Sequence, residues 1–271
     1  MKEISSLHNP LIKQVILLQN KSRERKKTGL FIIEGQREIR LAQEAGYQLQ
    51  TLLINRDKHK IDELQLDEKK LVDTEIITIN NAIYSKLAYR EGTEGYIAIA
   101  QTNDHNLQNC KIAGKNPLIL VAEAPEKPGN IGALLRTADA AAVDAVIIAN
   151  PKTDLYNPNI IRSSVGCIFT NRVFTGTTQE IITFLKRKKI AIYAAALQAS
   201  VPYTKVNFKG PTAIVVGTEA TGLNNEWLEN SHQNILIPMQ GKIDSMNVSA
   251  AAAILIFEAC RQRGFKEIKT T

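Results

Sequence analysis

Apolar positions in the first hundred residues change their period several times. Over 10–20 they recur at helical spacing, with Leu11, Val15 and Leu18 on one face, which predicts a helix. Gly29 interrupts the chain before a short apolar run at 30–33 that reads as a strand, and helical spacing resumes over 36–45 until Gly46. A strand at 51–54, a charged helix-prone stretch at 57–70, a strand near 75–79, a helix near 80–88 and a strand at 96–100 complete the series. This alternation predicts a small α/β domain over residues 1–102, a sheet covered by helices.

Residues 103–116 (NDHNLQNCKIAGKN) are polar and show no period, so they are expected to form a linker. A second α/β series fills 117–271. It has strands at 118–122, 144–149, 190–196, 212–216 and 234–237, and helices near 130–142, 159–168, 179–189, 224–230 and 248–263. The last helix carries AAAAILIFEAC and is apolar nearly all round. Such a helix must be buried on several sides, in the core, against a partner subunit, or both.

Composition fits a soluble globular protein, with 44% hydrophobic and 23% charged residues. No apolar run approaches the roughly 18–20 residues that cross a bilayer, and no signal peptide is evident, so a cytoplasmic protein is expected. Cys110, Cys167 and Cys260 lie far apart without a CxxC pair, and His8, His59, His105 and His232 are equally scattered. Nothing has metal-ligand spacing, and lone thiols suit a reducing compartment.

The net charge of +7 favours a polyanionic partner. Lys21, Arg23, Arg25, Lys26 and Lys27 place five cations in seven residues, broken by Glu24. The run reads either as a solvated helix end or loop, or as an arm contacting phosphates. The run at 186–189 falls where a helix should end, and the helix dipole accounts for it.

Three loops after predicted strands concentrate the candidate chemistry, where open α/β sheets place their ligands. The first runs from Glu123 to Arg136. Asn130 is placed to cap the next helix, and Arg136 sits on an otherwise apolar helix, where it needs either an ion pair with Asp139 or Asp144 or a substrate. The second, around Gly217, Glu219 and Gly222, sets small residues after a buried strand, either an ordinary glycine turn or an opening for a ligand to reach the main chain. The third runs from Ile235 through Ile237, Ser245, Met246 and Asn247 into the last helix, which Asn247 or Ser249 caps and Gly264 ends.

Together these segments read N-x-G-x-x-x-R, G-x-E-x-x-G and I-P-M-x-G-x-x-x-S-M-N-V-S-x-A. In that order they resemble the three signature motifs of the SpoU (TrmH) family of the SPOUT class, RNA 2′-O-ribose methyltransferases, over about 117–263. The first domain is similar, through Asn9-Pro10-Leu-Ile-Lys13 and Phe31-Ile-Ile-Glu34-Gly35, to the L30e-like substrate-binding domain of ribosomal RNA members. The resemblance implies an α/β fold in which a C-terminal SPOUT domain with a deep trefoil knot follows a small L30e-like α/β domain. It also implies a homodimer, an RNA substrate (ribosomal above transfer RNA) and S-adenosyl-L-methionine as cofactor. Carried over by position, cofactor contacts fall on Gly217, Ile237 and Met246, with Leu197 a neighbouring candidate. The catalytic set is Arg136, Asn130, Glu219, Ser245 and Asn247. Arg136 would stabilise the ribose oxygen or fix a phosphate, since a guanidinium stays protonated. Ala220 stands where many members have Gly, and Met246 where Leu is commoner. The competing reading is a non-catalytic RNA-binding assembly factor; dinucleotide or classical Rossmann enzymes would need a glycine-rich first turn that is absent here.

Overall fold

The structure is a computed structural model that describes residues 2–57, 66–89, 94–198, 200–218 and 221–265. Residues 58–65 of the helix-prone stretch, and Glu219 and Ala220 of the second motif, lie outside the described residues. The chain forms two compact units, one made of residues up to Asp104 together with Asp154–Thr170, the other of His105–Thr153 and Asn171–Thr271.

In the first unit five strands, β1 (Lys2–Ile4), β2 (Leu30–Glu34), β3 (Leu49–Asn55), β4 (Glu75–Ile79) and β5 (Tyr96–Gln101), lie in the order β1-β4-β3-β5-β2. β1 and β3 run parallel to β4, while β5 is antiparallel to both β2 and β3. Helix α1 (Pro10–Asn20) begins where Asn9 accepts from the Leu11 N–H and Pro10 supplies a helical φ. It buries Ile12, Val15 and Leu18 with Leu30 and Ile32 of β2. Alternation along β2 turns Phe31 away from that cluster, into a group of rings formed with Tyr47, Tyr156 and Phe169. Helix α3 (Gln36–Glu44) and α4 (Asn81–Leu87) complete the contiguous part of the unit.

The cationic run folds as α2 (Ser22–Thr28), closed by Gly29 at φ 66°. Four of its five cations are exposed, but Arg25 is buried. Its Nε donates to Asp154 Oδ2 at 2.5 Å and its Nη1 to the Leu18 and Gln19 carbonyls. Buried, with Nε and Nη1 bonded inside the unit, Arg25 is set apart from the four exposed cations of the run expected at phosphates.

Residues 159–168, expected as one helix of the second domain, form two short helices of the first unit, α6 (Pro158–Ser163) and α7 (Cys167–Thr170). Val165 and Gly166 take left-handed φ of 57° and 81° and break the helix between them. Gly166 packs where a Cβ would come within 2.8 Å of Leu41.

The second unit is an all-parallel sheet of seven strands in the order β10-β12-β9-β11-β6-β7-β8. These are β6 (Leu118–Glu123), β7 (Ala145–Ala149), β8 (Val173–Gly176), β9 (Ala191–Ala195), β10 (Val201–Pro202), β11 (Thr212–Val216) and β12 (Gln233–Leu236). On one face α8 (Thr178–Arg187) and α9 (Asn225–Asn230) cover Ile119, Val121, Ile147 and Val215. Helices α5 (Pro128–Ala140) and α10 (Val248–Gln262) pack on each other and on β6, β7 and β11. Burial of both sheet faces explains why these strands read as unbroken apolar runs.

The stretch expected to be a linker belongs to this packing. Leu107 and Cys110 are buried in the core under α8, and the Thr175 N–H donates to the His105 carbonyl at 2.7 Å. Two apolar side chains suffice to tie down an otherwise polar segment, and a periodicity search cannot register so few.

Candidate functional site

At the carboxyl ends of β9, β11 and β12 lies a cleft of about 670 Å³. Leu197 and its neighbours reach it from the turn after β9; Gly217, Thr218 and Leu223 from the turn after β11; Ile237 and Met239 from beyond β12. Asp244, Ser245 and Met246 close it from the segment leading into α10. The four residues expected at a cofactor, Gly217, Ile237, Met246 and Leu197, thus line one cavity although they are dispersed along the sequence.

Gly217 is required by its own chain. A Cβ there would lie 2.3 Å from the Gly222 carbonyl carbon, because Thr218 and Gly222 exchange two backbone hydrogen bonds of 3.1 Å. The walls are mainly apolar or small, and among the described lining residues Asp244 is the only ionisable side chain. A cavity of this size, whose described walls combine apolar side chains, strand-end backbone, a few neutral polar groups and the Asp244 carboxylate, fits a nucleoside cofactor that carries positive charge at sulfur.

Asn247 is the N-cap of α10. Its Oδ1 accepts from the Ser249 N–H at 2.9 Å and the Ser249 hydroxyl at 2.5 Å. Capping fixes the amide orientation, since the atom facing a backbone N–H must be oxygen, and it leaves Nδ2 to donate to Asn130 Oδ1 at 3.2 Å. Asn130 itself does not cap α5. Pro128 begins that helix after Lys127, which carries Asn130 one turn in and frees its side chain for Asn247. The first and third motifs are therefore joined by one amide–amide hydrogen bond beside Met246.

Arg136, two turns along α5, is exposed and not part of the cleft lining. It forms neither of the ion pairs that would make it structural: Asp144 instead accepts from the Leu118 N–H at 2.7 Å, and no described carboxylate lies within salt-bridge distance of Arg136. Ser245 is exposed at the cleft mouth. Glu219 lies outside the described residues.

Sequence reasoning passed over Glu123 as more than the start of a motif. Its buried carboxylate accepts from Asn150 Nδ2 (2.9 Å), Thr178 Oγ1 (2.7 Å) and Trp227 Nε1 (2.6 Å). It thereby ties the end of β6 to α8 and to α9, whose Asn225 and Leu228 line the cleft. An acidic residue ending an apolar strand was the available signal, because a buried carboxylate must collect donors.

Among the described residues no helix is long and apolar enough to cross a membrane, and no group of three or more His, Cys, Asp or Glu is placed to hold a metal ion.

Fold and cleft together define an α/β enzyme domain that takes its ligand at the carboxyl edge of a parallel sheet. Residues 117–257 match the SpoU rRNA methylase family, and residues 9–98 match an MRM3-like substrate binding domain. The 23S rRNA (guanosine(2553)-2′-O)-methyltransferase RlmP of Bacillus subtilis is 28% identical over 257 residues, covering 95% of this chain and 98% of its own. A crystal structure of an RNA 2′-O ribose methyltransferase superposes with a TM-score of 0.81 at 37% identity, covering 96% of this chain and 99% of that one. The AdoMet-bound rRNA methyltransferase of Sinorhizobium meliloti gives a TM-score of 0.87 at 25% identity, over 96% of this chain and 97% of that one. The chain belongs to the SpoU rRNA methylase family.

Proposed function

We propose that this protein transfers the methyl group of S-adenosylmethionine to a ribose 2′-hydroxyl of ribosomal RNA. The observation that carries this is the gathering of Gly217, Ile237 and Met246 into one cleft, with the Asn130–Asn247 hydrogen bond at its edge. Ribosomal RNA is favoured over transfer RNA because the relatives so named match this chain over nearly its whole length.

The cofactor would supply an electrophilic methyl group on a sulfonium and leave as a neutral thioether, and the residues must place a poor nucleophile against it and assist the loss of the hydroxyl proton to water. The walls around Leu197, Ile237 and Met246 exclude water from the apolar parts of the cofactor. Asp244 complements its positive charge. Asn130 and Asn247 hold the start of α5 against the start of α10, and Ser245 hydrogen-bonds at the ribose. Arg136, exposed and without a described carboxylate partner, offers its guanidinium to the ribose oxygen or the adjacent phosphate. Glu219 is assigned to holding the second motif in place.

The same reading gives the second unit a deep trefoil knot and the first unit an L30e-like identity, supported by the ordered motifs and the parallel sheet. It makes the enzyme a homodimer in the cytoplasm. Support for the dimer comes from α10, which leaves Phe257 40% exposed and Ala253 and Ile254 half-buried.

Arg136→Ala is expected to lower methyl transfer to ribosomal RNA about 100- to 1000-fold, as loss of one preorganised donor does elsewhere. S-adenosylmethionine affinity by calorimetry should stay unchanged. Wild-type turnover in that variant would remove Arg136 from the mechanism, and no cofactor binding by the native protein would favour the assembly-factor reading.

A further inference from the structure

Tyr89 is one of the most exposed aromatic side chains described, at 64%, yet one face of its ring is covered. The guanidinium carbon of Arg162 lies 3.6 Å from the ring centroid. A ring so covered can reach that exposure only by presenting its opposite face and edge to solvent. Both residues belong to the first unit, Tyr89 just after α4 and Arg162 on α6.

Each half of the pair is held in place. The Tyr89 N–H donates to both carboxylate oxygens of Glu34 at 3.1 Å, and Ala88 closes α4 on the Tyr84 carbonyl. Arg162 Nη2 donates to Asn159 Oδ1 at 2.6 Å, within a helix that Asn157 caps. Among the described residues Arg162 has no carboxylate within ion-pair distance.

A latch that merely fastens residues 154–170 to the first unit is the alternative, and the structure makes it superfluous. That segment is already fastened by the buried Arg25–Asp154 pair, by the Tyr47, Tyr156 and Phe169 rings, and by Gly166 against Leu41. An exposed cation–π contact adds only about 0.5–1 kcal/mol to such an anchorage.

We propose that Tyr89 and Arg162 form a stacking platform for an unpaired RNA base, with the open face of Tyr89 receiving the base and the Arg162 charge drawing the neighbouring phosphate. Aromatic rings and guanidinium planes are the groups on which splayed-out RNA bases stack. Lys86, exposed three residues before Tyr89, adds a second cation to the same segment. The inference rests on the reading of this chain as an RNA-modifying enzyme and names where that enzyme grips single-stranded RNA.

The test uses the full-length protein and two fluorescent probes of equal length, an oligoadenylate and the same ribose-phosphate chain without bases. The wild type should bind the base-bearing probe more tightly. Tyr89→Ala should weaken that binding about 5- to 100-fold while leaving the abasic probe unaffected. Tyr89→Trp should restore it, and Arg162→Gln should weaken both probes. Unchanged preference for bases in Tyr89→Ala, at an unchanged thermal midpoint, overturns the platform. So does equal loss for both probes, which marks Tyr89 as structural. Because neither probe needs turnover, failure of the native protein to bind S-adenosylmethionine would count against the enzyme reading and leave this measurement standing.

Discussion

The guanidinium of Arg25 is buried among one carboxylate and two carbonyl oxygens, while Lys21, Arg23, Lys26 and Lys27 beside it reach solvent. Arg25→Ala leaves Asp154 buried without its counter-charge and is expected to cost about 3–5 kcal/mol in denaturant unfolding. Arg23→Ala should stay within about 0.5 kcal/mol. Equal destabilisation by the two would contradict this division. Cys110 makes a second residue-scale case. Burial pushes its thiol up to about 11, against the partial pull of the Arg172 and Lys188 charges. A raised pKa leaves less thiolate, so an alkylating reagent at about pH 8 should modify the half-buried Cys167 well before the buried Cys110. Mass spectrometry of the partly labelled native protein checks the order.

At the scale of elements, legibility follows periodicity and fails where few residues carry the structure. The helix at 10–20 and the strands at 118–122 and 212–216 are readable because an apolar face or a fully buried run repeats long enough to register. β1, β8 and β10 escape such a reading: they are short strands at or near the sheet edges, two to four residues each, held by pairing and not by pattern. The break between α6 and α7 depends on a glycine whose neighbour, Leu41, is remote in sequence. Likewise, the cleft residues are reached through motif order, whereas the Asn130–Asn247 bond and the Glu123 hub need three dimensions. Helix α10 carries the element-scale prediction. Phe257→Glu places a charge on its exposed apolar face and should turn a dimer into a monomer in sedimentation velocity. A monomeric wild type would contradict the assignment of that face.

For the whole molecule, the +7 charge predicts RNA affinity that falls with salt. Replacing Lys21, Arg23, Lys26 and Lys27 by Gln should flatten the dependence of log affinity on log salt by about 0.7–0.9 for each phosphate that is no longer neutralised. An unaltered slope would free the α2 segment from any part in RNA binding. The residues that make the first unit are drawn from two separated stretches, residues up to Asp104 and Asp154–Thr170.

That discontinuity reaches back to synthesis. A chain emerging from the ribosome has its first hundred residues available early, yet Arg25 must wait for Asp154, and Phe31 and Tyr47 for Tyr156 and Phe169. The amino-terminal unit therefore cannot close until Thr170 has left the exit tunnel, by which time β6, α5 and β7 have been made. For the same reason, a fragment cut after Asp104 would expose apolar rings and strand a buried cation, and excising this unit as a soluble module would take a graft of residues 154–170 onto its end.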